Sequence, residues 1–209
     1  MTIYDVTLTI SGELPVWPDD PPVTIETTSR PGEPRVSRLS MSSHTGTHVD
    51  APAHFLRGAL TVDRLSLEVL IGPAWLADIS GEAAITAAAL QEAGIPPGTE
   101  RLLVRTDNSQ GHVQPTHFDV DFVGFTVDGA NWLLAHGVRL VGIDAPSIEP
   151  YVSPGEPVHR ALLAAEVIVI EGLALAGVSD GACQILCLPL PVADGDGAPA
   201  RVILIRDRS

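Results

Sequence analysis

A chain of 209 residues with 45% apolar and 18% charged residues has a globular composition and suits one large domain. Its formal charge of −14, from 26 acidic against 12 basic residues, argues against nucleic acid, which needs clustered lysine and arginine, and against an anionic membrane surface. No apolar run reaches the roughly 20 residues of a membrane span, and the N-terminus lacks the basic-then-apolar pattern of a secretory signal, so a soluble cytoplasmic protein is expected.

In chain order, the first strand is expected at YDVTLTI, residues 4–10, followed by a proline-rich ordered loop over 15–22. A strand at WLADI, 75–79, leads to a helix at TAAALQEAGI, 86–95. Thr86 can cap that helix, and Gly94 with Pro96-Pro97 stops it. The strand RLLVRT, 101–106, precedes a second helix at 126–138. There Thr126 is the N-cap, Asp128 adds charge to the first turn, Trp132, Leu133 and Ala135 give a partial apolar face, and Gly137 ends it. Strands RLVGID (139–144), EVIVIEGL (166–173), CQILCLPL (183–190) and RVILIR (201–206) complete the series, with an ordered loop over 146–157. Several strands are apolar at nearly every position, which implies burial on both faces. The alternation of helix and strand predicts an α/β fold, a mixed β-sheet with flanking helices, in a single domain spanning 1–209. Cys183 and Cys187 are expected as small buried residues of one strand, roughly 13 Å apart and too distant for a disulfide.

The densest chemistry lies in HTGTHVDAPAH, residues 44–54, which holds three of the chain's seven histidines and an aspartate. Imidazole and carboxylate together suit zinc, manganese or iron. A straight strand would separate residues 44 and 50 by about 20 Å, too far to share an ion at roughly 2.1 Å. A helix would align His44 with His48, but Thr45-Gly46-Thr47 is a poor helix centre and Pro52 opposes helix at Ala51. A curved segment with its bend at Gly46 would bring His44, His48 and Asp50 onto one metal. The alternative is a polar loop with incidental histidines.

This segment resembles the signature of the metal-dependent cyclase family, which includes bacterial kynurenine formamidases and isatin hydrolases. The pattern His, x, Gly, Thr or Ala, His, x, Asp, x, Pro, x, His is matched at every fixed position. VWPDD near residue 16, GFTVDGANWLLAHGVRLVGIDAPSIEP at 124–150 and HRALLAAEVIVIEGL at 159–173 also resemble family segments. The resemblance spans nearly the whole chain and implies a swivelling β/β/α-type fold, a homodimer or higher homo-oligomer, and a small-molecule substrate.

The resemblance further implies one or two divalent ions per chain, zinc or manganese: His44, His48 and Asp50 bind the first, and Asp50 bridges to the second, where there is one, held by His159 and Glu171. Without it, His159 reads as an exposed loop histidine and Glu171 as a surface carboxylate at a strand end. His54 falls at the family's general acid/base position; a fourth ligand or a packed loop residue is the alternative. The implied reaction is hydrolysis of an amide, formamide or lactam C–N bond, with metal-activated water attacking the carbonyl and His54 moving the proton. Trp17 and Phe55 are the candidate substrate-binding residues, with Phe118, Phe122 and Phe125 as further aromatics. Relatives often follow the strand at 101–106 with glycine and an aromatic residue, whereas this chain has Asp107-Asn108-Ser109-Gln110-Gly111-His112, so the bond type is better defined than the substrate. The stretch 112–122 is expected to be a substrate-facing loop, and Asp144 and Ser147 to line the pocket or stabilise a turn. A polyketide-type cyclase or dehydratase is the second enzyme reading, and a catalytically silent metal-binding protein the third.

Overall fold

The computed structural model describes residues 1–109 and 116–207, so residues 112–115 of the expected loop at 112–122 lie outside the described residues. Among the described residues there are ten strands: β1 (Thr2–Asp5), β2 (Thr24–Thr27), β3 (Ser37–Ser40), β4 (His48–Asp50), β5 (Ile71–Asp78), β6 (Arg101–Arg105), β7 (Leu140–Ile143), β8 (Ile168–Glu171), β9 (Gly181–Pro189) and β10 (Gly197–Arg206). Four α-helices accompany them: α1 (Leu67–Leu70), α2 (Ala87–Glu92), α3 (Val127–Ala135) and α4 (Pro157–Ala164). No helix among the described residues is long and apolar enough to cross a membrane.

Eight strands form one sheet in the order β1-β10-β4-β8-β7-β6-β5-β9, and β10 also pairs with β9. Seven strands therefore close into a ring, with β1 added beside β10. The length of β10 makes this possible: Gly197–Pro199 pairs with β4, Ala200–Ile205 with β9, and Ile203–Arg206 with β1. Strands β5 to β8 run parallel, and the remaining pairings are antiparallel.

Two apolar cores explain why the middle strands read as apolar at every position. One is built from all seven ring strands, including Val49, Leu76, Leu103, Leu140, Ile170, Ile185 and Val202, and so fills the ring. The other packs the opposite faces of the parallel strands, Leu102, Val104, Val141 and Val169, against Leu90 of α2, Leu133 of α3 and Leu162 of α4. Each fully buried leucine contributes about 1.5–3 kcal/mol through apolar burial.

The expected helices at 86–95 and 126–138 are present but shorter, and their predicted caps hold: Thr86 Oγ1 accepts from Ala89 N at 3.1 Å and Thr126 Oγ1 from Gly129 N at 3.3 Å. The first strand stops at Asp5 rather than 10, because side-chain hydroxyls replace the ladder: Thr7 Oγ1 donates to Val202 O and Thr47 Oγ1 accepts from Leu8 N. Both cysteines lie in β9, buried and free. Helix α4 begins at Pro157, where a loop is expected, because proline's fixed φ suits the first helical turn.

Candidate metal centre

Strand β4 is the platform. Its register against β8 sets His48 opposite Glu171 and Asp50 opposite Val169. Strand alternation then points His48 and Asp50 to one face and Val49 into the ring core. The bend that returns His44 to this face lies at Gly46, whose φ of +66° favours glycine. It nests against Gly172, where a Cβ would lie 2.3 Å from the Gly46 carbonyl oxygen, and Thr47 Oγ1 donates to Gly172 O at 2.5 Å.

His159 is not a loop residue; it sits in the first turn of α4 and is buried. Glu156, the residue before that helix, makes no side-chain cap. The buried carboxylate of Glu149 takes the role instead, accepting from Val158 N at 3.3 Å and His159 N at 3.2 Å. Glu171 is likewise buried rather than a surface carboxylate, and accepts from Ile148 N at 2.6 Å.

Each of three imidazoles has one nitrogen on an outer acceptor and the other turned inward. His44 Nε2 is 2.9 Å from Asp196 Oδ2, and its Nδ1 is 2.8 Å from Asp50 Oδ1. His48 Nδ1 donates to Gly46 O at 3.0 Å, and its Nε2 lies 3.4 Å from Asp50 Oδ1 and 3.2 Å from Glu171 Oε2. His159 Nδ1 is 2.5 Å from Glu149 Oε1, and its Nε2 is 3.1 Å from Glu171 Oε1 and 3.6 Å from Asp50 Oδ2. Outer acceptors of this kind fix ring orientation and tautomer around metals.

Ligand atoms of His44, His48 and Asp50 lie within 4.8 Å of one another, as do those of Asp50, His159 and Glu171, so Asp50 is common to two potential sites. Asp50 Oδ2 is buried with no hydrogen-bond partner among the described residues. A buried carboxylate oxygen without a donor is costly unless a cation serves it. The donor set of imidazoles and carboxylates, with that oxygen, fits a divalent metal.

The charges balance through protons in the ion-free chain. Burial would raise Asp50, but hydrogen bonds from His44 and His48 overcome it and hold the carboxyl well below the usual range. Burial would lower His48 and His159, but their carboxylate partners push each up to about 10. Glu171 is also held low: burial and the Asp50 charge oppose this, and bonds from His159 and His48 prevail.

His54 ends a single 3₁₀ turn over Pro52–His54 at the rim of this centre. Its ring stacks on His44 with centroids 3.9 Å apart, and its Nδ1 is 3.6 Å from Asp196 Oδ2. Burial lowers its pKa, which favours the neutral ring. His44, His54 and Asp196 form a third group with ligand atoms within 4.8 Å, so a ligand role for His54 also has a geometric basis.

Two cavities meet at the centre. The larger, about 480 Å³, is lined by His44, His48, His54, His159 and Glu171 together with Trp17 and Phe55. Phe55 stacks on His159 with centroids 4.7 Å apart. The smaller, about 150 Å³, includes Trp17, Phe118 and Phe122, whose rings pack edge to face. Phe125 belongs to the core under the helices and reaches neither cavity. Asp144 lines the smaller cavity, but its carboxylate binds Thr106 N and Oγ1, tying the ends of β6 and β7 rather than its own turn. Sequence reasoning missed Glu149 and Asp196; both lie among glycine, proline and acidic residues whose spacing carries no ligand pattern.

Comparison with known proteins agrees with this geometry. The Cyclase family model, described as "Putative cyclase", matches residues 4–150. Cyclase-like protein 2 of Oryza sativa subsp. japonica is 37% identical, over 98% of this chain and 79% of its own length. Kynurenine formamidase of Bacillus cytotoxicus is 34% identical, over 96% of this chain and 95% of its own. A solved structure described as a potential metal-dependent hydrolase with cyclase activity superposes with a TM-score of 0.87 at 35% identity, covering 99% of both chains.

Proposed function

We propose, from the premise that this chain belongs to the Cyclase family, that residues 1–209 act as a single metal-dependent hydrolase domain cleaving the C–N bond of an amide, formamide or lactam. The observation that carries the reading is the buried Asp50 carboxylate, shared between two groups of ligand atoms, with one oxygen that accepts no hydrogen bond from the described residues. His44, His48 and Asp50 would hold one ion, and Asp50, His159 and Glu171 a second; zinc and manganese both suit these donors. The relative from Bacillus cytotoxicus supports an aryl formamide as the first substrate to test. A cytoplasmic homodimer is the proposed working form.

A bound ion of this kind acidifies water and polarises a carbonyl, the chemistry that amide hydrolysis needs. The chain supplies the rest. His54 is the proton carrier: burial keeps its ring neutral near pH 7, ready to accept a proton. Its Nδ1 faces Asp196, which leaves Nε2 as the atom that takes a proton and returns it to the leaving nitrogen. Phe55 and Trp17 offer apolar faces that orient a planar substrate and displace water from the larger cavity.

The test uses chelator-stripped protein, reloaded with zinc or manganese and offered N-formylkynurenine and formanilide. Formate release should vanish on stripping and return on reloading. His54→Ala should bind metal as the parent does, with turnover reduced by at least about 100-fold. A metal-loaded protein that cleaves none of these but cyclises or dehydrates a polyketide-like acid would move the reading to the second enzyme class. Absence of stoichiometric metal would overturn it.

A further inference from the structure

The two cavities at the centre share Trp17, Pro146, His44 and His48, and diverge from there. His54, Phe55, His159 and Asp196 line the larger and not the smaller. The smaller is bounded by the bend at Gly46 and Gly172 and walled by Leu14, Leu173, Phe118 and Phe122. Its polar lining beyond the two histidines is either committed or exposed. Asn108 Oδ1 accepts from Val123 N at 2.9 Å, and its Nδ2 donates to Val123 O at 3.0 Å. Asp144 accepts from Thr106 and Ser109. His117 and Asp119 are exposed. Among the described residues, no buried polar side chain of this cavity other than the histidines is left to read a polar group, so its chemistry selects an apolar one.

The proton carrier fixes which end of an amide lies where. His54 returns its proton to the leaving nitrogen, so the amine end occupies the larger cavity, where His54 is. A secondary amide is planar and trans, so its acyl substituent extends away from the substituent on nitrogen. From a carbonyl held at the shared histidines, the smaller cavity is the space that receives it. A formyl group carries only hydrogen there and would leave that space unused. The cavity measures about 150 Å³, the size of an apolar cavity that holds benzene.

We propose that the smaller cavity is an acyl subsite, and that the preferred substrate is an open-chain amide whose acyl group is apolar and of butyryl to benzoyl size, rather than formyl. Water divides between the products: its hydroxyl bonds to the acyl carbon as the C–N bond breaks, and its proton reaches the nitrogen through His54. The carboxylic acid is left with its tail between Leu14, Leu173 and the two phenylalanines, and the amine departs through the larger cavity. The inference rests on the hydrolase reading above and names its substrate class.

Anilides of one amine and graded acyl size test it: formanilide, butyranilide and benzanilide, offered to zinc-loaded protein. With each kcat/KM divided by that amide's own rate of alkaline hydrolysis, butyranilide should exceed formanilide by about 10-fold or more, since each buried methylene is worth about fourfold. Calorimetric titration of chelator-stripped protein reads the same preference without turnover, and butyranilide should bind about 10-fold tighter. Ala174→Phe enters the smaller cavity from a half-buried lining position and should remove both preferences. Phe118→Ala widens the cavity and should raise benzanilide relative to butyranilide several-fold. Formanilide equal to or better than butyranilide in either measurement overturns the acyl subsite and leaves the hydrolase standing. A preference that both folded variants retain unchanged places the acyl group elsewhere and overturns it too. Loaded protein that cleaves no anilide overturns the hydrolase reading and the acyl assignment with it.

Discussion

Loading the centre with a divalent cation must displace protons, and the geometry sets how many. Without an ion, His48 and His159 lie among carboxylates that push each pKa to about 10. At pH 8 both rings are then largely protonated. A nitrogen that ligates a cation cannot keep its proton, so filling both proposed sites at pH 8 should release two protons from these rings. His44, whose pKa its bonds to Asp50 raise against burial, adds to that count. Calorimetric titration of stripped protein with zinc, in buffers of different protonation enthalpy, reads the number directly. About two or more protons are expected at pH 8, declining as pH passes 10, and His159→Ala should remove about one. The sign for stability follows from the same shifts. Both histidine pKa values are raised, so the stability they give the ion-free chain is fully present below about 6.5 and is lost as pH rises through about 10. The melting temperature of stripped protein should therefore fall between pH 7 and 10, while that of loaded protein holds. Release of less than half a proton at pH 8 would refute the idea that imidazolium protons stand where the cation goes.

Two further perturbations probe the supports of the centre. Glu149→Gln keeps an acceptor for the α4 amides but removes the charge beside His159 Nδ1; metal affinity should fall about 10–100-fold with helix content unchanged, measured by competition with a chromophoric chelator. Unchanged affinity would make Glu149 a helix cap only. Gly172→Ala places a Cβ 2.3 Å from Gly46 O at a φ of +68°, so the bend carrying His44 must lift away; a loss of about 2–4 kcal/mol is expected by chemical denaturation, with weaker metal binding. A variant as stable as the parent would show that the bend does not depend on this contact.

How much of this was legible in the sequence depended on how locally each feature is determined. Three side chains at 44, 48 and 50 can meet only if the chain bends, and Gly46 is the residue that permits it, so half of the centre could be read from eleven residues. Caps at Thr86 and Thr126 were equally local. Glu171 and His159 were different: nothing in their own neighbourhoods marks them, and only the family resemblance singled them out. The reason is the β4–β8 pairing, which sets residue 48 against residue 171 across more than a hundred intervening positions. Glu149 and Asp196 escaped altogether, because their roles arise where a loop turns a carboxylate back onto a histidine supplied by another element. The β2–β3 hairpin escaped for the opposite reason: its strands are short and polar, with no alternation that a core would impose. A segment without a core in its own chain leaves no apolar periodicity to read.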